Sequence, residues 1–161
     1  MEITRTNTLS QSQKQDIIRL WNKEYPAHLS YGTDSEFDSY LAGLSNPLHL
    51  TISDQHEQIM AWLITFTRDA SRWFAMIIDQ SLQGQGIGSR LLDEAKKSET
   101  ELNGWATDHN RDVRADGRPY PSPIGFYLKN GFEVLTDTRL EKGALSTVKI
   151  QWRKARMGAT Q

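Results

Sequence analysis

The feature that most constrains this chain is a continuous apolar run, Trp73–Ile78, followed shortly by Gln83-Gly84-Gln85-Gly86-Ile87-Gly88 and at once by an amphipathic helical pattern. A run apolar at both parities suits a strand buried on both faces. Glycines adopt positive φ and let the backbone approach a ligand closely. Where such a loop opens a helix, several N–H groups converge and the helix dipole favours an anion. Each contact of that kind contributes only about 0.3–1 kcal/mol on a surface, but a polyphosphate gathers several. The segment is therefore a candidate phosphate cradle, and the chain must fold around a strand–loop–helix unit.

The loop has several readings. It can be an ordinary glycine turn with no ligand. It is not a P-loop, because no Gly-Lys-Ser/Thr closes it. A dinucleotide fingerprint needs G-x-G-x-x-G, and Gly84-Gln85-Gly86-Ile87-Gly88-Ser89 places Ser89 at the last glycine. Asp108 lies near where a ribose-binding acid would stand. Against that reading, two helices and a strand meander precede the loop.

Those preceding elements are marked by local signals. Residues 2–6 read as a short strand. Ser10-Gln11-Ser12-Gln13 is a capping box opening a helix to about Tyr25, and Thr33-Asp34-Ser35-Glu36 opens a second through Leu44, closed near Asn46-Pro47. Leu48–Ser53 and Gln58–Thr67 read as a hairpin around Asp54-Gln55-His56-Glu57. After the glycine loop, Ile87, Leu91, Ala95 and Leu102 keep one apolar stripe, so the helix is expected to run to Leu102 and end at Gly104. Trp105–His109 reads as a strand, residues 110–121 as a polar loop, Ile124–Lys129 as a helix stopped by Asn130-Gly131, and Phe132–Leu135 as a strand. Val148, Ile150 and Trp152 alternate with Lys149, Gln151 and Arg153 in a last strand. The order β-α-α-β-β-β-α-β-α-β-β predicts an α+β sandwich in one domain spanning residues 1–161.

Composition removes several function classes. There are no cysteines, which excludes disulfides, thiolate metal sites and a Cys–acyl intermediate on this chain. The formal net charge is −1, without the basic excess expected of a nucleic-acid binder. No segment is apolar enough to span a bilayer, and Met1–Arg5 lacks the apolar stretch of a signal peptide, so a cytoplasmic location is expected. The four histidines show no H-x-H or H-x-x-x-H spacing, so no metal is expected.

Gln83-x-x-Gly86-x-Gly88 resembles the Q/R-x-x-G-x-G/A signature of the GNAT superfamily of acyl-CoA-dependent N-acetyltransferases. Phe126-Tyr127-Leu128-Lys129-Asn130-Gly131-Phe132 resembles that family's F-Y-x-x-x-G-F segment, and the element order over residues 3–153 is similar too. The resemblance implies a mixed, mostly antiparallel sheet of about six or seven strands with about four helices, splayed between the fourth and fifth strands. It implies that loop amides of Gln83, Gly84, Gln85, Gly86, Ile87, Gly88 and Ser89 hold the pyrophosphate of coenzyme A, with Arg90 in reach of a phosphate. Met76, Ile77 and Ile78 would pair with the pantetheine arm as an added strand would. Tyr127 would stand near the thioester sulfur. Where many relatives carry an Asn before that Tyr, this sequence has Tyr120; Asn110 or Ser122 would take its role.

The implied reaction is direct attack of an amine on acetyl-CoA, without a metal and with a backbone N–H of Ile77 or Ile78 polarising the carbonyl. Freeing an alkyl ammonium of its proton at pH 7 costs about 4–5 kcal/mol. A general base would help. Asp108 and His109 lead, and Glu24 and Asp79 follow. The acceptor is a small-molecule or peptide amine: Glu24, Tyr25, His28, Tyr31 and Asp34 would suit a cation, whereas the arginines of 111–118 would suit an acid. A homodimer is left open, and a non-catalytic acyl-CoA-binding module is the alternative function.

Overall fold

Ser10 caps the first helix as its sequence predicts. Its hydroxyl accepts from the Gln13 N–H, and the Gln13 side chain returns the bond to the Ser10 N–H. The capping box at Thr33 is only half formed. Thr33 accepts from the Glu36 N–H, but the Glu36 carboxylate turns to the N–H of Gly32. The computed structural model describes residues 1–155. Its elements are β1 (Thr4–Thr6), α1 (Gln11–Glu24), α2 (Asp34–Ala42), β2 (Ser45–Ser53), β3 (Ile59–Arg68), β4 (Ser71–Ile78), α3 (Ile87–Lys96), β5 (Glu101–Thr107), α4 (Ile124–Lys129), β6 (Glu133–Lys142) and β7 (Leu145–Arg153).

The seven strands form one sheet in the order β1-β2-β3-β4-β5-β7-β6. Every neighbouring pair is antiparallel except β4 and β5, which run parallel and meet at one position, Trp73 opposite Asn103. Beyond that pair the two strands part, as the expected splay requires. Alternation along β4 sends Phe74, Met76 and Ile78 to one side of the sheet, against Ile87, Leu91 and Leu92 of α3. Trp73 and Ile77 go to the other side, against Ile17 and Trp21 of α1 and Phe37 of α2. Two apolar clusters thus sandwich the central strands, which is why Trp73–Ile78 reads as apolar at both parities.

The α3 boundary differs from the sequence reading. The helix stops at Lys96, and Leu102 belongs to β5. Leu102 shares a cluster with Leu91 and Ala95, so its spacing is satisfied across the core and not along one helix. Gly104, expected as a helix stop, lies within β5, where a Cβ would come 2.8 Å from Cε1 of Phe74. β5 ends at Thr107, so Asp108 and His109 follow the strand. Likewise α2 ends at Ala42, and Asn46 and Pro47 lie in β2, beside a shift in its pairing with β3. β6 continues to Lys142, with an irregularity between Leu135 and Arg139.

Candidate active site

The site begins with the directions of backbone groups in β4. Asp79 N–H donates to Met60 C=O at 2.8 Å. Hydrogen-bonding direction alternates along an antiparallel pair, so Ile77 also turns its N–H and C=O toward β3. Met76 and Ile78 turn theirs into the gap between β4 and β5. There the Met76 carbonyl accepts from the Tyr25 hydroxyl at 3.0 Å, and the Ile78 carbonyl accepts from the Gln83 side-chain amide at 3.1 Å. The first residue of the glycine motif thus ties the loop to the end of the strand.

Gly84 and Gly86 have φ of 78° and 77°, and a Cβ at either would meet nothing within 4 Å. Conformation, not crowding, requires glycine at these two positions, and the space before the loop is open. Gly86 is the N-cap of α3 and offers no side-chain cap. The first helical bond runs from Arg90 N–H to Gly86 C=O. The N–H groups of Ile87, Gly88 and Ser89 precede it and have no helical acceptor. Gly88 serves packing: a Cβ there would lie 2.7 Å from Cζ of Phe126 and 3.1 Å from Cδ1 of Ile78. An open face, glycines at positive φ and a run of unclaimed N–H groups fit a pyrophosphate.

A cleft of about 840 Å³ follows the gap from this loop toward α1. Met76, Ile77, Ile78, Gln83, Gly84, Gly86, Ile87, Gly88, Ser89, Ser122 and Tyr127 all line it. Tyr127, on α4, is buried among Phe74, Phe126 and Phe132. Burial pushes its phenol well above the ordinary value, and nearby Tyr120 adds to the rise.

Other sequence candidates stand away from the cleft wall. Gln85 donates to Ser81 C=O, and Arg90 donates to Met1 C=O at 2.8 Å. Asn110 accepts from Ser122 N–H at 2.7 Å, while the Ser122 hydroxyl donates to Thr107 C=O. That pair fastens the loop to β5. Asp108 is held by both Nη atoms of Arg139, at 2.7 and 3.0 Å. Those hydrogen bonds keep its carboxyl below the ordinary range. His109 accepts from Arg111 N–H, and its Nε2 stands 3.9 Å from Asp112.

Glu24 does line the cleft, although it is only 3% exposed. Its Oε2 accepts from Gln80 N–H at 2.8 Å, and its Oε1 lies 3.5 Å from Nε of Arg114. Asp79 caps the Gln80–Leu82 turn and meets Lys23 at 2.7 Å. Burial pushes its carboxyl up, but Lys23 and the Ser81 hydrogen bonds outweigh that and hold it low. Tyr25 lines the cleft, whereas His28 faces Asp112 and Tyr31 packs on Trp21. Residues 110–121 rest on the segment after α1, through Ala27 N–H to Val113 C=O. They deliver Arg114, Tyr120 and Pro121 to the cleft rim. Tyr40 and Arg68, which the sequence does not single out, line the cleft with Trp73.

Among the described residues no three His, Cys, Asp or Glu side chains are grouped to hold a metal ion, and no helix is long and apolar enough to cross a membrane.

Residues 47–134 match the family model of the GNAT acetyltransferase domain. A peptidyl-lysine N-acetyltransferase, YjaB, of Salmonella typhimurium is 26% identical over 125 residues, which cover 74% of this chain and 77% of that protein. The fold is similar to an aminoglycoside 6'-acetyltransferase type Ii, with a TM-score of 0.71 at 13% identity, over 98% of this chain and 100% of that one. It is also similar to a phosphinothricin acetyltransferase of Sinorhizobium meliloti in complex with AcCoA, with a TM-score of 0.66 at 13% identity, over 100% and 93% of the two chains. The splayed strands, the glycine loop and these matches agree: the chain belongs to the GNAT acetyltransferase family and is an acyl-CoA-dependent N-acetyltransferase.

Proposed function

We propose that this protein transfers an acetyl group from acetyl-CoA to a primary amine by direct attack in a ternary complex, with no acyl-enzyme. One observation carries the reading: the β4–β5 gap joins the open glycine loop at one end to Tyr127 and the Glu24 wall at the other. The amides of residues 84–89 receive the pyrophosphate, since the Gln83 N–H is spent on Gln80 C=O, and Arg90 turns from Met1 toward a phosphate. Met76, Ile77 and Ile78 flank the pantetheine arm, with Ser122 on the opposite rim and Asn110 holding Ser122 in place. Ile78 N–H, which faces the gap, polarises the thioester carbonyl better than Ile77 N–H, which is spent on β3. Tyr127 keeps its proton and donates a hydrogen bond to the departing thiolate. Most of the rate comes from holding amine and thioester together.

Of the base candidates, Glu24 is the one that lines the cleft; among the described residues its Oε1 has no hydrogen bond, although Arg114 Nε lies 3.5 Å away. His109 is the second candidate, acting through water. Asp108 is a poor base, because the Arg139 fork stabilises its ionised form. The acceptor is a small-molecule or peptide amine.

The test is thiol release from acetyl-CoA across a panel of primary amines, with thermal shifts by CoA in parallel. Amine-dependent thiol release with acetylated product is expected. Stabilisation by CoA with no product from any amine would replace this reading with a non-catalytic acyl-CoA-binding module.

A further inference from the structure

Two cations without counter-ions among the described residues flank Trp73 in the cleft wall, and of the two Arg68 itself lines the cleft. Arg68, at the end of β3, places its guanidinium 5.0 Å from the Phe66 ring centre and 5.6 Å from that of Trp73. Lys149 of β7 places its ammonium 5.3 Å from the Trp73 ring centre. Among the described residues neither forms an ion pair, whereas Arg72, Arg114, Arg118 and Arg139 each do. Among the described residues the buried indole Nε1 of Trp73 has no hydrogen-bond partner, a costly state for a donor. Tyr40 lines the same wall; burial raises its phenol above the ordinary value, and the charge of Arg68 offsets part of that rise. Arg68 and Lys149 therefore both approach the Trp73 ring, Tyr40 shares the cleft wall with Arg68 and Trp73, and among the described residues no carboxylate is paired to either cation. An arginine laid on aromatic faces is preoriented to grip a carboxylate or phosphate.

Of the three arginines that the sequence offered for an acidic acceptor, Arg111 does not line the cleft and the other two are otherwise occupied. Arg114 is committed to Glu24, and Arg118 to Asp116. We propose that the acceptor is a small amine carrying an acidic group, and that Arg68, Lys149, Tyr40 and the Trp73 indole receive that group. Trp73 lies five residues before Ile78 on β4, roughly 16 Å along the strand. The acid and the reacting amine are thus separated by an extended chain, so an ω-amino acid fits and an α-amine beside its own carboxylate does not. This inference rests on the acetyl-transfer reading for the position of the reacting amine.

The test compares 6-aminohexanoate with hexylamine, 8-aminooctanoate with octylamine, and 3-aminopropanoate with propylamine. The two longer acids should exceed their alkylamines in kcat/KM by about tenfold or more, the difference a charged hydrogen bond supplies. The shortest pair should show no such preference. Arg68→Gln should bring the ratio for 6-aminohexanoate close to one, and Arg68→Lys should retain part of it. Arg68 is exposed, so both variants should fold. A second readout needs no turnover: thermal shift of the CoA-saturated protein by the same pairs. Selective stabilisation by 6-aminohexanoate, lost in Arg68→Gln, supports the acid site even if no acetylated product forms; that result would sink the transfer reading alone. Equal behaviour of acid and alkylamine in both assays overturns the acid site. So does an Arg68→Gln effect of equal size on both members of a pair, or preference for a lysine within a neutral peptide over 6-aminohexanoate.

Discussion

Arg114 and Glu24 stand 90 positions apart in the chain and 3.5 Å apart in the fold. The pair fastens the loop before α4 to the last turn of α1, and Arg114 also donates to the Glu24 carbonyl at 3.2 Å. Removing the guanidinium leaves a buried carboxylate with only the Gln80 N–H and Lys23 nearby. Arg114→Met should therefore destabilise the protein by about 3–5 kcal/mol, lowering Tm by roughly 6–20 °C. Adding Glu24→Gln should return most of that loss, because a neutral amide does not need the cation. Thermal unfolding of the single and double variants measures it, and an unchanged Tm in Arg114→Met would show that the pair holds nothing.

That pair also marks what the sequence could convey. Trp73–Ile78, the glycine loop and the segment Phe126–Phe132 were legible because their chemistry is local: parity, positive φ and a helix stop act within a few residues. The end of α3 was misread because Leu102 keeps helical spacing while packing into the same core from a strand. Asp108 stood where a base would stand, but its Arg139 partner lies 31 positions away and no local pattern announces it. Ile77 and Ile78 could not be told apart until the β3 register gave their N–H groups a direction. Arg68 has no local mark of a site, because only the fold shows that it lies over Trp73 and, among the described residues, lacks an acid.

Gly88 is held by space and not by conformation. A Cβ would meet Phe126 at 2.7 Å, which no relaxed contact allows. Gly88→Ala gains helix propensity of about 1 kcal/mol, but overpacking costs about 1–3 kcal/mol. A net loss of up to about 2 kcal/mol is expected in denaturant unfolding. Phe126→Leu in the same chain should relieve it, so the double variant should be more stable than the two single losses add to. Strict additivity would show that the contact does not limit the helix.

His49 gives the fold an acid-sensitive point. It is buried, and its Nδ1 accepts from the Trp62 indole N–H at 3.0 Å, a bond that only the unprotonated nitrogen can accept. Burial pushes its pKa down to about 4 from an ordinary 6.5. Between those values the unfolded chain binds the proton and the folded chain does not. This contribution is therefore complete above pH 6.5 and is lost as the pH falls toward 4. Melting temperature should decline across that window, and the decline should be smaller in His49→Gln, which cannot titrate there. Parallel curves for the two proteins would remove His49 from the acid response.

Tyr127 should show the opposite behaviour, an absence of titration where an exposed phenol would titrate. Burial holds its pKa well above 10, and Tyr120 pushes the same way. The phenol thus remains a hydrogen-bond donor throughout the range in which amines lose their protons. With a good acceptor amine, kcat should rise with pH as the nucleophile is freed and then stay level to about pH 10. Tyr127→Phe keeps the ring packed among Phe74, Phe126 and Phe132 but removes the donor. It should lower the plateau by about 100-fold, change KM for acetyl-CoA little, and leave the shape of the profile unaltered. A wild-type alkaline break below pH 10 that disappears in Tyr127→Phe would show an ordinary, accessible phenol. A plateau of equal height in both proteins would remove Tyr127 from the departure of the thiolate.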